Sequence, residues 1–260
     1  MSRLDERRIF VTGAGSGIGR ATTQRLLAEG ARVVATDVSE EGIAGTAEAA
    51  DGAALTTFVM DVADEASVVR GTAAAIEHLG GLDVLVNAAG ILRPSHTHDT
   101  SLDFWNRILA VNLTGTFLVT REALPALIDA GKSVVINFSS TSAGFAHPYM
   151  AAYAASKGGI QAFTHSLALE YSKQGVRAVS VAPGSVKSGI TDNAGEWMLH
   201  DADWALFTKL LPILPTGLST PVGNPVGRPE SVAGVVAMLA SEDGEFITGT
   251  EIRIDGGTHA

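Results

Sequence analysis

Seven short apolar runs punctuate this chain, at residues 9–11, 32–36, 54–60, 82–87, 133–138, 177–182 and 251–254, and helical apolar patterns fill the intervals between them. Strand alternating with helix predicts an α/β fold, a doubly wound parallel sheet of about seven strands covered by helices on both faces. Brief Gly, Asp and Ser turns separate the pieces, with no proline-rich or low-complexity linker, so residues 1–260 read as a single domain. Ligands of such sheets sit outside the carboxyl ends of the strands. The glycine loop after the first run, Asp37, Asp61, Asn87, Ser140 and Pro183-Gly184 all fall at predicted strand ends on that side.

The loop reads Thr12-Gly13-Ala14-Gly15-Ser16-Gly17-Ile18-Gly19, with Ile18, Ala21, Leu26, Leu27 and Ala28 as the inner positions of the helix that follows. Glycines let a backbone approach a pyrophosphate closely, and a helix start offers free N–H groups and the positive end of a dipole. The spacing G-x-G-x-x-G fits no frame here. What fits is Thr12-Gly13-x-x-x-Gly17-x-Gly19, a different spacing for the same task. A second strand then ends at Asp37, where an acid suits a ribose 2′-hydroxyl and repels a 2′-phosphate. Neither Ser16 nor Val38 supplies a cation for such a phosphate, so NAD is expected over NADP. The plainer alternative is that Asp37 caps the helix beginning near Ser39-Glu40-Glu41.

Tyr153 and Lys157 are four residues apart in a helical pattern and would share one face. A phenol has a reference pKa near about 10; an ammonium beside it would favour the phenolate and make it a usable proton acceptor. Ser140 lies thirteen residues upstream and Asn112 earlier still. Ser139 and Ser140 could equally end a strand through backbone hydrogen bonds, and Asn112 could be a capping or helix-bending residue. Tyr149 is a competing phenol without a lysine four positions on, and is assigned to the pocket rim.

Bulk composition narrows the function classes. A net charge of −10 argues against a nucleic-acid phosphate track or an anionic membrane surface. No cysteine is present, which excludes thiol and disulfide chemistry. No apolar run approaches the ~20 residues that span a bilayer, and charged residues near the start argue against a secretory signal. A cytoplasmic protein is expected. His96, His98 and Asp99 suggest metal ligands but lack a third histidine or cysteine nearby, so a solvated turn and no metal are expected. His147 is read as lining the substrate mouth or as an ordinary loop histidine.

Together these segments resemble the short-chain dehydrogenase/reductase superfamily over essentially the whole chain. The resemblance implies a Rossmann-like fold and a catalytic tetrad of Asn112, Ser140, Tyr153 and Lys157. Within it, Lys157 holds the cofactor ribose and Asn112 anchors a water linking the lysine to solvent. It implies cofactor contacts from Gly13, Ser16, Gly17, Ile18, Gly19 and Asp37, and from Asp61-Val62 at the adenine. Asn87, Ala88 and Gly90 follow the fourth strand; Pro183, Gly184, Val186 and Ser188 follow the sixth. Ala88 departs from a more common Asn, and Ser188 from a frequent Thr. Members are mostly tetramers or dimers, so a homo-oligomer is expected. The segment from Gly189 to Asn224, with Trp197, Met198, Leu199, Trp204, Leu206, Phe207, Leu210 and Leu211, occupies the family's substrate loop. Its apolar stripe would either contact a bulky hydrophobic or alicyclic alcohol or pack on the protein. The expected activity is NAD-dependent interconversion of a secondary alcohol and a ketone. The rivals are a 3-oxoacyl thioester reductase and a non-enzymatic NAD-sensing protein.

Overall fold

The computed structural model describes residues 2–50, 54–188, 199–219 and 223–260. Seven parallel strands form one sheet in the order β3-β2-β1-β4-β5-β6-β7. They are β1 (Arg8–Thr12), β2 (Arg32–Asp37), β3 (Leu55–Val59), β4 (Val84–Asn87), β5 (Ser133–Phe138), β6 (Val176–Pro183) and β7 (Thr250–Ile254). Each expected run is a strand, displaced by two residues at most, because an apolar run between turn residues leaves little choice of boundary.

Central strands bury both faces. Ile9, Val11, Val33 and Val86 face one core with Leu26 of α1 (Gly17–Ala28) and Val232 and Val236 of α8 (Pro229–Ala240). Phe10, Val34, Leu85 and Val135 face the other, against α3 (Glu65–Leu79), α5 (Gly115–Ala130) and α6 (Ala151–Tyr171). Side chains alternate across a strand, so a run apolar at every position serves two layers at once. Between them lie α2 (Glu40–Glu48), α4 (Leu102–Leu109) and the single turn α7 (Trp204–Phe207).

The strand order reverses at β1, with β2 on one side and β4 on the other, which opens a crevice at the carboxyl ends of the strands. Two glycines of the first loop are fixed by packing there. Gly13 has φ +70° and a Cβ would lie 2.5 Å from the Ala89 backbone; a Cβ on Gly19 would lie 2.0 Å from the Gly13 carbonyl oxygen. Only glycine lets α1 start this close to the sheet.

Candidate active site

A cavity of about 950 Å³ opens at this crevice. Gly13, Ser16, Gly17, Ile18, Gly19, Asp37, Asp61, Val62, Ala88, Gly90, Pro183, Gly184, Val186 and Ser188 all line it, as do Ser140, Tyr153 and Lys157. Asn87 and Asn112 are buried and stand outside this lining.

At the nucleotide-side lip, the Ser16 side chain makes no capping bond and no acid sits in the first turn of α1. Backbone donors at that helix start therefore face the cavity with no negative side chain against them, which fits a pyrophosphate. The loop is clamped from behind. Arg20 donates to the Gly15 and Gly42 carbonyl oxygens and, at 2.9 Å, to Thr46 Oγ1. Thr46 Oγ1 in turn donates to the Ala14 carbonyl at 2.8 Å. Sequence reasoning missed this clamp; its one signal was an arginine directly after the last loop glycine.

Asp37 accepts from Gly15 N at 2.8 Å and from Ser39 N at 2.9 Å. The α2 cap is Ser39, whose hydroxyl accepts from Gly42 N at 3.0 Å, so the capping alternative for Asp37 falls. A carboxylate has about four lone-pair sites, and both oxygens of Asp37 keep capacity for ribose hydroxyls. Asp61 turns the chain after β3, its Oδ1 accepting from Ala63 N at 2.9 Å, while Val62 is buried against Gly115.

On α6, Tyr153 and Lys157 share a face as their spacing requires, with Lys157 Nζ 5.6 Å from the Tyr153 ring centroid. The Ser140 side chain stands beside Tyr153, near enough to pull its phenol pKa down. The Ser139 hydroxyl instead donates to the Lys157 carbonyl at 3.3 Å, and its N–H continues the ladder to Val181. Of the pair, it is the second serine that acts on the phenol.

The expectation that Lys157 lowers the Tyr153 pKa is not met in this structure. Tyr153 keeps some solvent contact, yet the protein crowding around it pushes the phenol up to about 12, with the Ser140 side chain pulling the other way. Lys157 is 4% exposed and burial brings it down to about 8. Its Nζ donates to the Phe138 carbonyl at 2.6 Å. Desolvation of the phenol outweighs the attraction of a cation 5.6 Å from the ring centroid.

Asn112 is fully buried in a π-helical turn, Ala110–Thr114, joining α4 to α5. Its Nδ2 donates to Ile91 O and Ser156 Oγ, both at 3.0 Å, and its Oδ1 accepts from Ile91 N at 2.8 Å. The side chain pins the strand-end segment beside Lys157, since a Cβ on Gly90 would meet Asn112 Oδ1 at 3.4 Å and Lys157 Nζ at 3.6 Å. The place of Asn112 in the π-helical turn accords with the helix-bending alternative. The Asn87 amide nitrogen is engaged behind the wall, while its Oδ1 is buried without a protein partner among the described residues. Its Nδ2 donates to Thr120 Oγ1 at 3.0 Å and Asn137 Oδ1 at 2.9 Å, and Asn137 Nδ2 continues to Thr164 Oγ1 at 2.9 Å. This ladder ties α5 and α6 to the sheet under the cavity floor.

Leu199, Ala202, Phe207, Leu210 and Leu211 line the opposite wall with Leu92, Pro94 and Met150. Trp197 and Met198 lie outside the described residues. Leu206 is 40% exposed and does not line the cavity, whereas Ile213 N and Leu214 N bond the Gly256 carbonyl at 3.1 and 3.0 Å. One part of the segment faces the cavity and another packs on the body. Tyr149, with φ +62°, joins the two sides: its hydroxyl accepts from Asp203 N at 2.9 Å and its ring stacks on Phe207 with centroids 5.9 Å apart. His96 packs edge-on against Tyr149 and meets Asp201 at 3.1 Å. Among the described residues no three His, Asp or Glu side chains group as a metal site.

Residues 7–199 match the family model described as short chain dehydrogenase. The chain belongs to the short-chain dehydrogenase/reductase superfamily. It is an enzyme of that family acting on CH–OH groups. It is 35% identical over 260 residues to the 2,5-dichloro-2,5-cyclohexadiene-1,4-diol dehydrogenase LinX of Sphingobium indicum, covering 98% of this chain and 97% of that protein. It is 36% identical over 262 residues to 2-(S)-hydroxypropyl-CoM dehydrogenase 3 of Xanthobacter autotrophicus, covering 100% of this chain and 99% of the relative. The crystal structure of levodione reductase superposes with a TM-score of 0.87 at 30% identity, covering 97% of each chain. As in other members of this superfamily, a nicotinamide cofactor and a small-molecule substrate belong to the reaction. No helix among the described residues is long and apolar enough to cross a membrane.

Proposed function

We propose that this dehydrogenase is a one-domain NAD(H)-dependent enzyme interconverting an alicyclic or similarly bulky apolar secondary alcohol and its ketone. The observation that carries the reading is the grouping of Ser140, Tyr153 and Lys157 on a cavity whose other end holds the glycine loop and the Asp37 carboxylate. The largely apolar wall from Leu92 to Leu211 supports a hydrophobic ring as substrate, and two similar proteins carry names denoting cyclic compounds, a cyclohexadienediol and levodione.

In oxidation, the alcohol oxygen sits between the Ser140 and Tyr153 side chains, and Tyr153, acting as the phenolate, takes its proton. In reduction, the same phenol returns a proton to the developing alkoxide while Ser140 hydrogen-bonds that oxygen. Bound NAD supplies the hydride acceptor, and NADH the donor. Lys157, with a pKa of about 8, is still mostly cationic at pH 7, so its charge favours the phenolate as turnover forms it. Asn112 and Asn87 act by holding Ile91 and the helices around this group.

Asp37 supports NAD over NADP, since a 2′-phosphate would meet a carboxylate at the loop, while Arg20 is engaged in the clamp. A panel of cyclic alcohols and ketones, acyl thioesters among them, followed by nicotinamide absorbance tests the reading. Cyclic secondary alcohols should turn over with NAD, and Asp37→Ala should shift the NAD/NADP preference toward NADP by about tenfold, the scale of one charge-assisted hydrogen bond. Turnover only with NADPH and acyl thioesters would overturn it.

A further inference from the structure

Most polar side chains on the substrate side of the cavity have their hydrogen bonds occupied by the protein. Thr208, Ser185 and Thr258 donate their hydroxyl protons to the carbonyls of Ala205, Leu210 and Asp255. Tyr149 accepts from Asp203 N. Another pair is joined by a long contact. His147 Nδ1 lies 3.1 Å from the Phe145 carbonyl oxygen, and Nε2 lies 3.3 Å from Thr141 Oγ1. A carbonyl only accepts, so Nδ1 carries the proton, and the neutral ring presents Nε2 as an acceptor. Burial holds this imidazole below its ordinary pKa, which keeps it in that form. Both residues line the cavity, and 3.3 Å is long for a bond to a hydroxyl. Thr141 directly follows Ser140, and both groups line the cavity that holds Ser140 and Tyr153.

We propose that Thr141 and His147 form a second hydroxyl-reading subsite, and that the substrate is an alicyclic diol. One carbinol is oxidised at Ser140 and Tyr153; the other inserts unreacted between Thr141 and His147, donating to Nε2 and accepting from the Thr141 hydroxyl. A ring carbonyl at this place would accept from Thr141 but leave Nε2 unpaired, and a bare methylene would use neither group. The subsite therefore favours a second hydroxyl over both. The inference rests on the alicyclic-alcohol reading above and adds the second oxygen to it.

The test compares cyclohexanol with 1,2-, 1,3- and 1,4-cyclohexanediol, NAD being saturating, in the wild type and in His147→Leu, His147→Gln and Thr141→Val. The wild type should prefer at least one diol by about tenfold or more in kcat/KM, expressed in KM, the scale of a hydroxyl recognised by a partly buried pair. His147→Leu and Thr141→Val should erase that preference while cyclohexanol turnover changes by less than about twofold, since neither residue touches the reacting atoms. His147→Gln, whose amide oxygen can accept in place of Nε2, should restore part of it; a purely structural role would not show that split. Cyclohexanol oxidation without any diol preference, or variants that slow both substrates equally, would overturn the inference and leave the proposed function standing. If no cyclic alcohol is oxidised, the proposed function fails and the inference fails with it.

Discussion

At Tyr153 and Lys157, burial works against both charged forms. Lys157 is held at about 8 by burial against an ordinary value of 10.5. Between those values the unfolded chain binds a proton that the folded chain does not, so stability rises with pH across that window; below it the penalty is complete. It amounts to about 3 kcal/mol, at about 1.4 kcal/mol per pKa unit. Lys157→Met should therefore lose turnover without lowering the melting temperature at pH 7, and thermal melts should show the wild type closing the gap toward pH 10. A variant markedly less stable at both pH values would mean that the bond to Phe138 outweighs the buried charge. Spacing revealed that Tyr153 and Lys157 share a helix face, because four residues are about one helical turn. It did not reveal the direction of the tyrosine shift. Desolvation depends on how closely distant segments crowd the ring, and no local pattern reports that. The side-chain bonds of Asn87 and Asn112 were illegible for a related reason: an asparagine reads the same whether its amide faces the cavity or the layer behind it.

Among the elements, the glycine loop was legible because its constraints are local: a positive φ at Gly13 and a close approach at Gly19 restrict which residues can stand there. The clamp from Arg20 and Thr46 joins two helices across the loop, a contact that becomes visible only once α1 and α2 are placed. The apolar segment after β6 was legible as a stripe, but not how it divides between cavity wall and body. Tyr149 marks that division through its bond to Asp203 and its stacking on Phe207. Tyr149→Phe should raise KM for an apolar cyclic alcohol by about two- to tenfold, the range of one neutral hydrogen bond. NADH affinity should be unchanged by direct titration. An unaltered KM would leave the stacking on Phe207 as the contact that seats the segment.

At the scale of the whole molecule, all seven strands were legible, since parallel strands buried on both faces must be apolar throughout. Their order follows from right-handed crossovers and the reversal at β1. The surface keeps one piece of information that strand patterning does not carry. Leu102 on α4 is 71% exposed, Phe117 on α5 44% and Leu169 on α6 82%, and apolar side chains left outside on adjoining helices suit a second copy of the chain. Light scattering should give a dimer or tetramer, and Leu169→Asp with Phe117→Asp should lower the mass; a wild-type monomer would contradict the homo-oligomer reading. The account as a whole depends on proton exchange at one phenol. The most direct measurement is single-turnover oxidation of a cyclic secondary alcohol by Tyr153→Phe, with NADH binding titrated on the same preparation. The account predicts a rate lower by about 10²–10⁴-fold, the range of a general acid–base contribution, with NADH affinity near the parental value. Parental turnover in that variant would contradict it.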